Sequence, residues 1–170
     1  ARFGADRRVH LHQMAASEAT GEARLHFPWA GAGGASLSPE TSVIQGTSAH
    51  GAESEVIATT TLDAFAGAVG VEDIDLLKLD IEGHEWKALT GAAGLVAAGR
   101  IGAIQIEIGA AALPAGISLY RFWHHLHEAF DCALVMTHGL RRIDAYLPDL
   151  ECFYAASTFV FFRRTPPSRA

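Results

Sequence analysis

Cysteine is scarce. Cys132 and Cys152 are the only two in 170 residues, with no Cys-x-x-Cys pair, so neither a zinc knuckle nor a disulfide framework is implied and a reduced compartment fits. Long apolar runs are missing as well: no window of about 18 consecutive apolar residues exists, and the start lacks the basic, apolar and small-residue order of a signal peptide. A cytoplasmic chain with no membrane contact is expected. Basic residues are outnumbered, 13 Lys and Arg against 19 Asp and Glu for a net charge of −6. They cluster only as Arg7-Arg8, Arg141-Arg142 and Arg163-Arg164, too sparsely to follow a phosphate backbone, so nucleic acid is not an expected partner.

What is present is apolar content, at 49%, enough for one domain with a real core. The chain is organised around Asp75-Leu76-Leu77-Lys78-Leu79-Asp80-Ile81-Glu82-Gly83-His84-Glu85. Four apolar residues between Ile74 and Leu79 predict a strand buried on both faces, and acid begins where the apolar run ends. In open α/β sheets ligands bind beyond the carboxyl ends of the strands, and Gly83 permits a tight turn into the helical pattern that follows. Strand, acidic loop and helix are therefore expected in that order. Lys78, inside the apolar strand, is expected to be buried against a carboxylate as structural support.

Along the rest of the chain, alternation from Val9 to Ala15 predicts a short strand with His10 and His12 on one solvated face, and Ala23–Phe27 a returning strand. Residues 30–54 are rich in Gly and Ser and read as a mobile loop. Its Gly31-Ala32-Gly33-Gly34 lacks the Gly-Lys-Ser/Thr ending and flanking elements of a phosphate loop. A brief strand over 55–59 leads to a helix capped by Thr60 or Thr61 and stopped by Gly70, with Asp63 read as helix-start electrostatics. One helix from Glu85 to Ala98, a buried strand Ile101–Ile108 bearing Glu107, and a Ser118-capped helix reaching Phe130 follow. His124, His125, His127 and Glu128 fall on the polar side of that last helix and read as a solvated face rather than a metal site. Strands near 132–137, 140–143 and 157–162 precede a tail at 164–170, and no internal repeat appears.

The motif Lys-x-Asp-x-Glu-Gly-x-Glu (Lys78, Asp80, Glu82, Gly83, Glu85), with Thr60-Thr61-Leu62-Asp63 before it and Gln105-Ile106-Glu107 after it, resembles the FkbM family of S-adenosylmethionine-dependent methyltransferases. The resemblance implies a class I methyltransferase (Rossmann-like) α/β sheet, helices on both faces and an antiparallel last strand. It also implies O-methylation of a hydroxyl on a sugar, polyketide or similar small molecule. The family's glycine-rich cofactor turn and the acid that holds the ribose have no counterpart before Val9. Residues 1–170 are thus expected to be a single partial methyltransferase domain, truncated at its N-terminus and inactive alone. The strand ending at Asp80 would then expose a flat apolar edge that invites self-association.

Methyl transfer needs an in-line nucleophile that loses a proton, so positioning and deprotonation are what the protein supplies. Asp80 and Glu107 end neighbouring strands, about 4.8 Å apart, and can converge on one point, either as a base pair or as oxygen ligands for a divalent cation such as Mg. His84 is the alternative base, because its imidazole titrates nearest neutral pH. Catalytic roles are thus expected of Asp80, His84 and Glu107, with Lys78, Glu82, Gly83 and Glu85 at the substrate or cofactor edge; for Glu82 and Glu85 helix capping is the competing role. Two other classes stay open: a non-catalytic binding module, and a metal-dependent hydrolase using Asp80, Glu82 and Glu107.

Overall fold

The computed structural model describes residues 8–27, 34–38, 53–152 and 156–164. Two sheets form. The smaller contains β1 (Ala15–Ala16), β2 (Gly21–Phe27) and β3 (Glu53–Thr60) in the order β1-β3-β2, with β1 parallel and β2 antiparallel to β3. The larger contains β4 (Ile74–Leu79), β5 (Ile101–Ile108), β6 (Phe130–Met136), β7 (Gly139–Ile143) and β8 (Ser157–Arg163), ordered β4-β5-β8-β6-β7. Within the larger sheet only β4 and β5 pair in parallel; β8 enters between β5 and β6, antiparallel to both. The fold is mixed α/β, and its last strand is antiparallel as expected.

Among the described residues four α-helices connect these strands: α1 (Leu62–Val69), α2 (Glu85–Thr90), α3 (Ala93–Ala97) and α4 (Leu119–Leu126). Thr61 caps α1, its hydroxyl accepting from the Ala64 N–H at 3.1 Å, and Gly70 closes it in the left-handed conformation. Ser118 caps α4 in the same way, and the Glu151 carboxylate takes the N–H groups of Leu119 and Tyr120 at 2.9 and 2.7 Å. The core lies on one face of the larger sheet. Register places Leu79 beside Ile106, Ile106 beside Phe159, and Ile104 beside Phe161, and onto this row pack Ala88 and Leu89 of α2 with Leu119, Phe122 and Leu126 of α4.

Several expectations are corrected. The segment 9–14 forms no strand, and Leu11 stands 70% exposed because no core lies beneath it, while His12 meets Phe65 edge-on. The helix expected from Glu85 to Ala98 is two. A Cβ at Gly91 would sit 2.0 Å from the Ser17 carbonyl oxygen, so backbone crosses there, and the Asp63 carboxylate starts α3 by accepting from Gly94 and Leu95 at 2.8 and 2.9 Å. Asp63 also lies in the first turn of its own helix, as expected, so it serves the starts of two neighbouring helices. Helix α4 stops at Leu126 because Phe130 is needed in β6, where it is fully buried.

The strand before the acidic loop is not buried on both faces. As an edge strand, β4 hides Leu79 but leaves Leu76 54% exposed, and Lys78 lies in solvent, paired with Asp80. Along this strand exposed Asp75 and Lys78 flank the exposed Leu76. Of the loop expected over 30–54, residues 30–33 and 39–52 lie outside the described residues, as do 165–170 of the tail; residues 53 and 54 already belong to β3.

Candidate functional site

The acidic loop leaves β4 through two successive left-handed residues, Glu82 at φ 52° and Gly83 at φ 93°. A non-glycine residue there is uncommon, so something must hold the loop. Glu85 does so from within: its buried carboxylate accepts the Ile81 N–H at 3.0 Å and the Gly83 N–H at 3.1 Å. Burial raises its pKa, opposed by those same backbone hydrogen bonds. From outside, the Ser36 hydroxyl donates to the Glu82 carbonyl at 2.6 Å, and Gly83 packs so closely that a Cβ would lie 2.9 Å from the Ala111 carbonyl oxygen. The glycine thus serves contact within the protein. Glu85, placed by sequence at the cofactor edge, is the internal brace of the loop.

His84 follows, 7% exposed at the start of α2, with Nε2 3.0 Å from the Ser17 hydroxyl oxygen. Burial lowers its pKa, the Lys87 ammonium lowers it further, and Glu18 opposes both. The imidazole is therefore neutral at pH 7. Ser17 is itself fixed, its N–H donating to the Thr60 carbonyl at 2.8 Å, and the Glu18 to Lys87 ion pair at 3.3 Å closes the outside of the same junction.

Asp80 stands at the meeting of two cavities. One, of about 270 Å³, lies between the smaller sheet and the acidic loop, walled by Met14, Leu25, Leu37, Ile57 and Ile81 with Asp80 and His84 as its charged or titratable groups. The other, of about 20 Å³, is lined by Asp80, Glu82, Gly83, Glu85 and Glu107. That is room for about one water. With Leu79 beside Ile106, β4 and β5 end together, which brings Asp80 and Glu107 to one end of the sheet. All seven residues singled out in the sequence therefore lie around one loop, with Lys78 present only through its pairing with Asp80.

Among the described residues, no group of three or more His, Cys, Asp or Glu is gathered to hold a metal ion. The histidines of α4 face a separate open groove of about 670 Å³ with Trp86, Tyr120 and Arg121, whose guanidinium lies 4.3 Å from the Trp86 ring centre. That groove is larger than either cavity at the acidic loop but holds none of its groups. Ser17 and Ser36 were invisible to sequence reasoning, since they act on partners 67 and 46 positions away.

A family model described as the methyltransferase FkbM domain matches residues 5–135. The chain belongs to that family. The matched span covers the smaller sheet, the acidic loop, and the larger sheet as far as β6, so the loop that carries the motif lies well inside it. No curated protein and no solved structure matched the chain. No described helix is long and apolar enough to cross a membrane.

Proposed function

We propose that this FkbM-family chain takes part in S-adenosylmethionine-dependent O-methylation of a hydroxyl on a sugar, polyketide or similar small molecule, and that its described residues form the acceptor side of the reaction. The observation that carries this reading is the 270 Å³ cavity, apolar in its walls, with one accessible carboxylate and one neutral imidazole at its end. The order β4-β5-β8-β6, with β8 antiparallel, agrees with the later strands of a class I methyltransferase sheet.

The described residues do not fit the whole cofactor. The larger cavity at the loop falls below the roughly 300–1,000 Å³ that encloses drug-sized ligands. Gly83 gives its close approach to Ala111 rather than to a ligand. What the residues do is orient and deprotonate. Asp80, 36% exposed and open to both cavities, accepts a hydrogen bond from the acceptor hydroxyl and takes its proton. The neutral His84 stands at the wall of the same cavity, its Nε2 engaged with the Ser17 hydroxyl. Glu107 lines the small cavity together with Asp80.

The test is transfer of labelled methyl from S-adenosylmethionine to a panel of hydroxyl compounds by the gene product purified from its natural host. Label appearing as a methyl ether is the expected result. Absence of transfer to every hydroxyl, with transfer to an amine or carbon acceptor, would overturn the O-methylation reading.

A further inference from the structure

We infer that the cavity between the smaller sheet and the acidic loop selects a single hydroxyl carried on an apolar skeleton and rejects polyols. The inference rests on the acceptor-site reading above and narrows it. Five large apolar side chains wall the space, Met14 before β1, Leu25 on β2, Leu37 in the segment 34–38, Ile57 on β3 and Ile81 in the loop. None of them is fully buried, and Met14 is 40% exposed. Five separate stretches of chain thus turn apolar surface toward one opening instead of closing it, which is the condition under which an apolar ligand gains by entering.

Polar capacity in the cavity is small. Among the lining residues only Asp80 and His84 bring charged or titratable groups. One carboxylate oxygen of Asp80 is taken by Lys78, and Nε2 of His84 by the Ser17 hydroxyl. The remaining acceptor sites of the Asp80 carboxylate serve one or two incoming hydroxyls. A sugar ring would bring several more against Leu25, Leu37 and Ile57, and each hydroxyl buried without a partner lowers affinity roughly 5- to 100-fold. At about 30 Å³ per water, the volume corresponds to roughly nine waters, enough for a ring with a short branched substituent.

The probes are 4-tert-butylcyclohexanol and methyl α-glucopyranoside, titrated without cofactor into the full 170-residue chain and followed by the methyl resonances of Ile57 and Ile81 and the imidazole of His84. The alcohol should shift these signals saturably, with the glucoside at least tenfold weaker. Leu37→Asp should weaken the alcohol at least tenfold, with Leu25→Ser as a second variant should the first not fold. Equal or tighter binding of the glucoside, or no shift at these residues by either probe, would overturn the inference. Methyl transfer is scored separately. Alcohol binding without methylation of any alcohol sinks the transferase reading and leaves the selectivity standing, whereas efficient methylation of the glucoside alone does the reverse.

Discussion

Asp80→Asn separates a reacting carboxylate from a structural one, because the two roles differ by several-fold in energy at this position. Asp80 is 36% exposed and its partner Lys78 53% exposed, so their ion pair contributes about 0–1 kcal/mol. Asparagine keeps the size and one acceptor oxygen, and the loop is braced by Glu85 and Ser36 rather than by Asp80. The loss of stability should stay below about 1 kcal/mol, a fall of roughly 2–4 °C in Tm for a chain of this size. A positioned general base contributes about 10²- to 10⁴-fold. At about 1.4 kcal/mol per factor of ten that is roughly 3–5 kcal/mol of transition-state stabilisation. Initial rates of labelled methyl transfer by the natural gene product, beside urea unfolding of the same preparations, measure both quantities. A variant that keeps more than a tenth of the rate, or that loses over about 2 kcal/mol of stability, would refute the assignment of proton capture to Asp80.

Three further substitutions probe the frame around it. Asp63→Ala removes both acceptors for the Gly94 and Leu95 N–H groups and should cost about 1–2 kcal/mol in urea unfolding, with the rate per folded molecule unchanged; a large rate loss at full stability would give Asp63 a substrate role. Gly83→Ala forces a Cβ to within 2.9 Å of the Ala111 carbonyl oxygen at φ 93° and should destabilise by more than about 1 kcal/mol, so a neutral result in thermal melts would contradict the packing described. His84 is held below its ordinary pKa of 6.5 by burial, so the unfolded chain takes up its proton first as pH falls. Its contribution is complete above pH 6.5 and is lost as pH drops through the lowered folded value. His84→Gln should flatten that part of the stability profile between pH 8 and pH 5, and an unchanged slope would show that the imidazole is not desolvated.

Much of the fold is legible locally. The Thr61 and Ser118 caps, the Gly70 stop, and the apolar strands β5 and β8 each depend on residues within a few positions, so pattern suffices to find them. Position within the sheet is not local. Ile74–Leu79 has the composition of a central strand, yet among the described residues it pairs only with β5, and Leu76 and Lys78 are exposed on that side. The break between α2 and α3 is equally invisible in their own sequence, because Asp63 and the Ser17 backbone impose it from elsewhere. At the site, the acidic motif indicates which carboxylates gather, but not that Glu85 turns inward to hold the loop. Nor does it show that Ser17 reaches His84. Those contacts exist only once the smaller sheet has closed over the loop.

Calorimetric titration of S-adenosylhomocysteine into the full 170-residue chain, with 4-tert-butylcyclohexanol titrated in parallel, tests most directly whether the described residues are the acceptor side. The cavity sizes predict saturable binding of the alcohol and a Kd for S-adenosylhomocysteine weaker than about 1 mM, equivalent to less than about 4 kcal/mol of binding free energy. Micromolar binding of S-adenosylhomocysteine, with no uptake of the alcohol, would contradict it and make the space around Asp80 and His84 the cofactor's own.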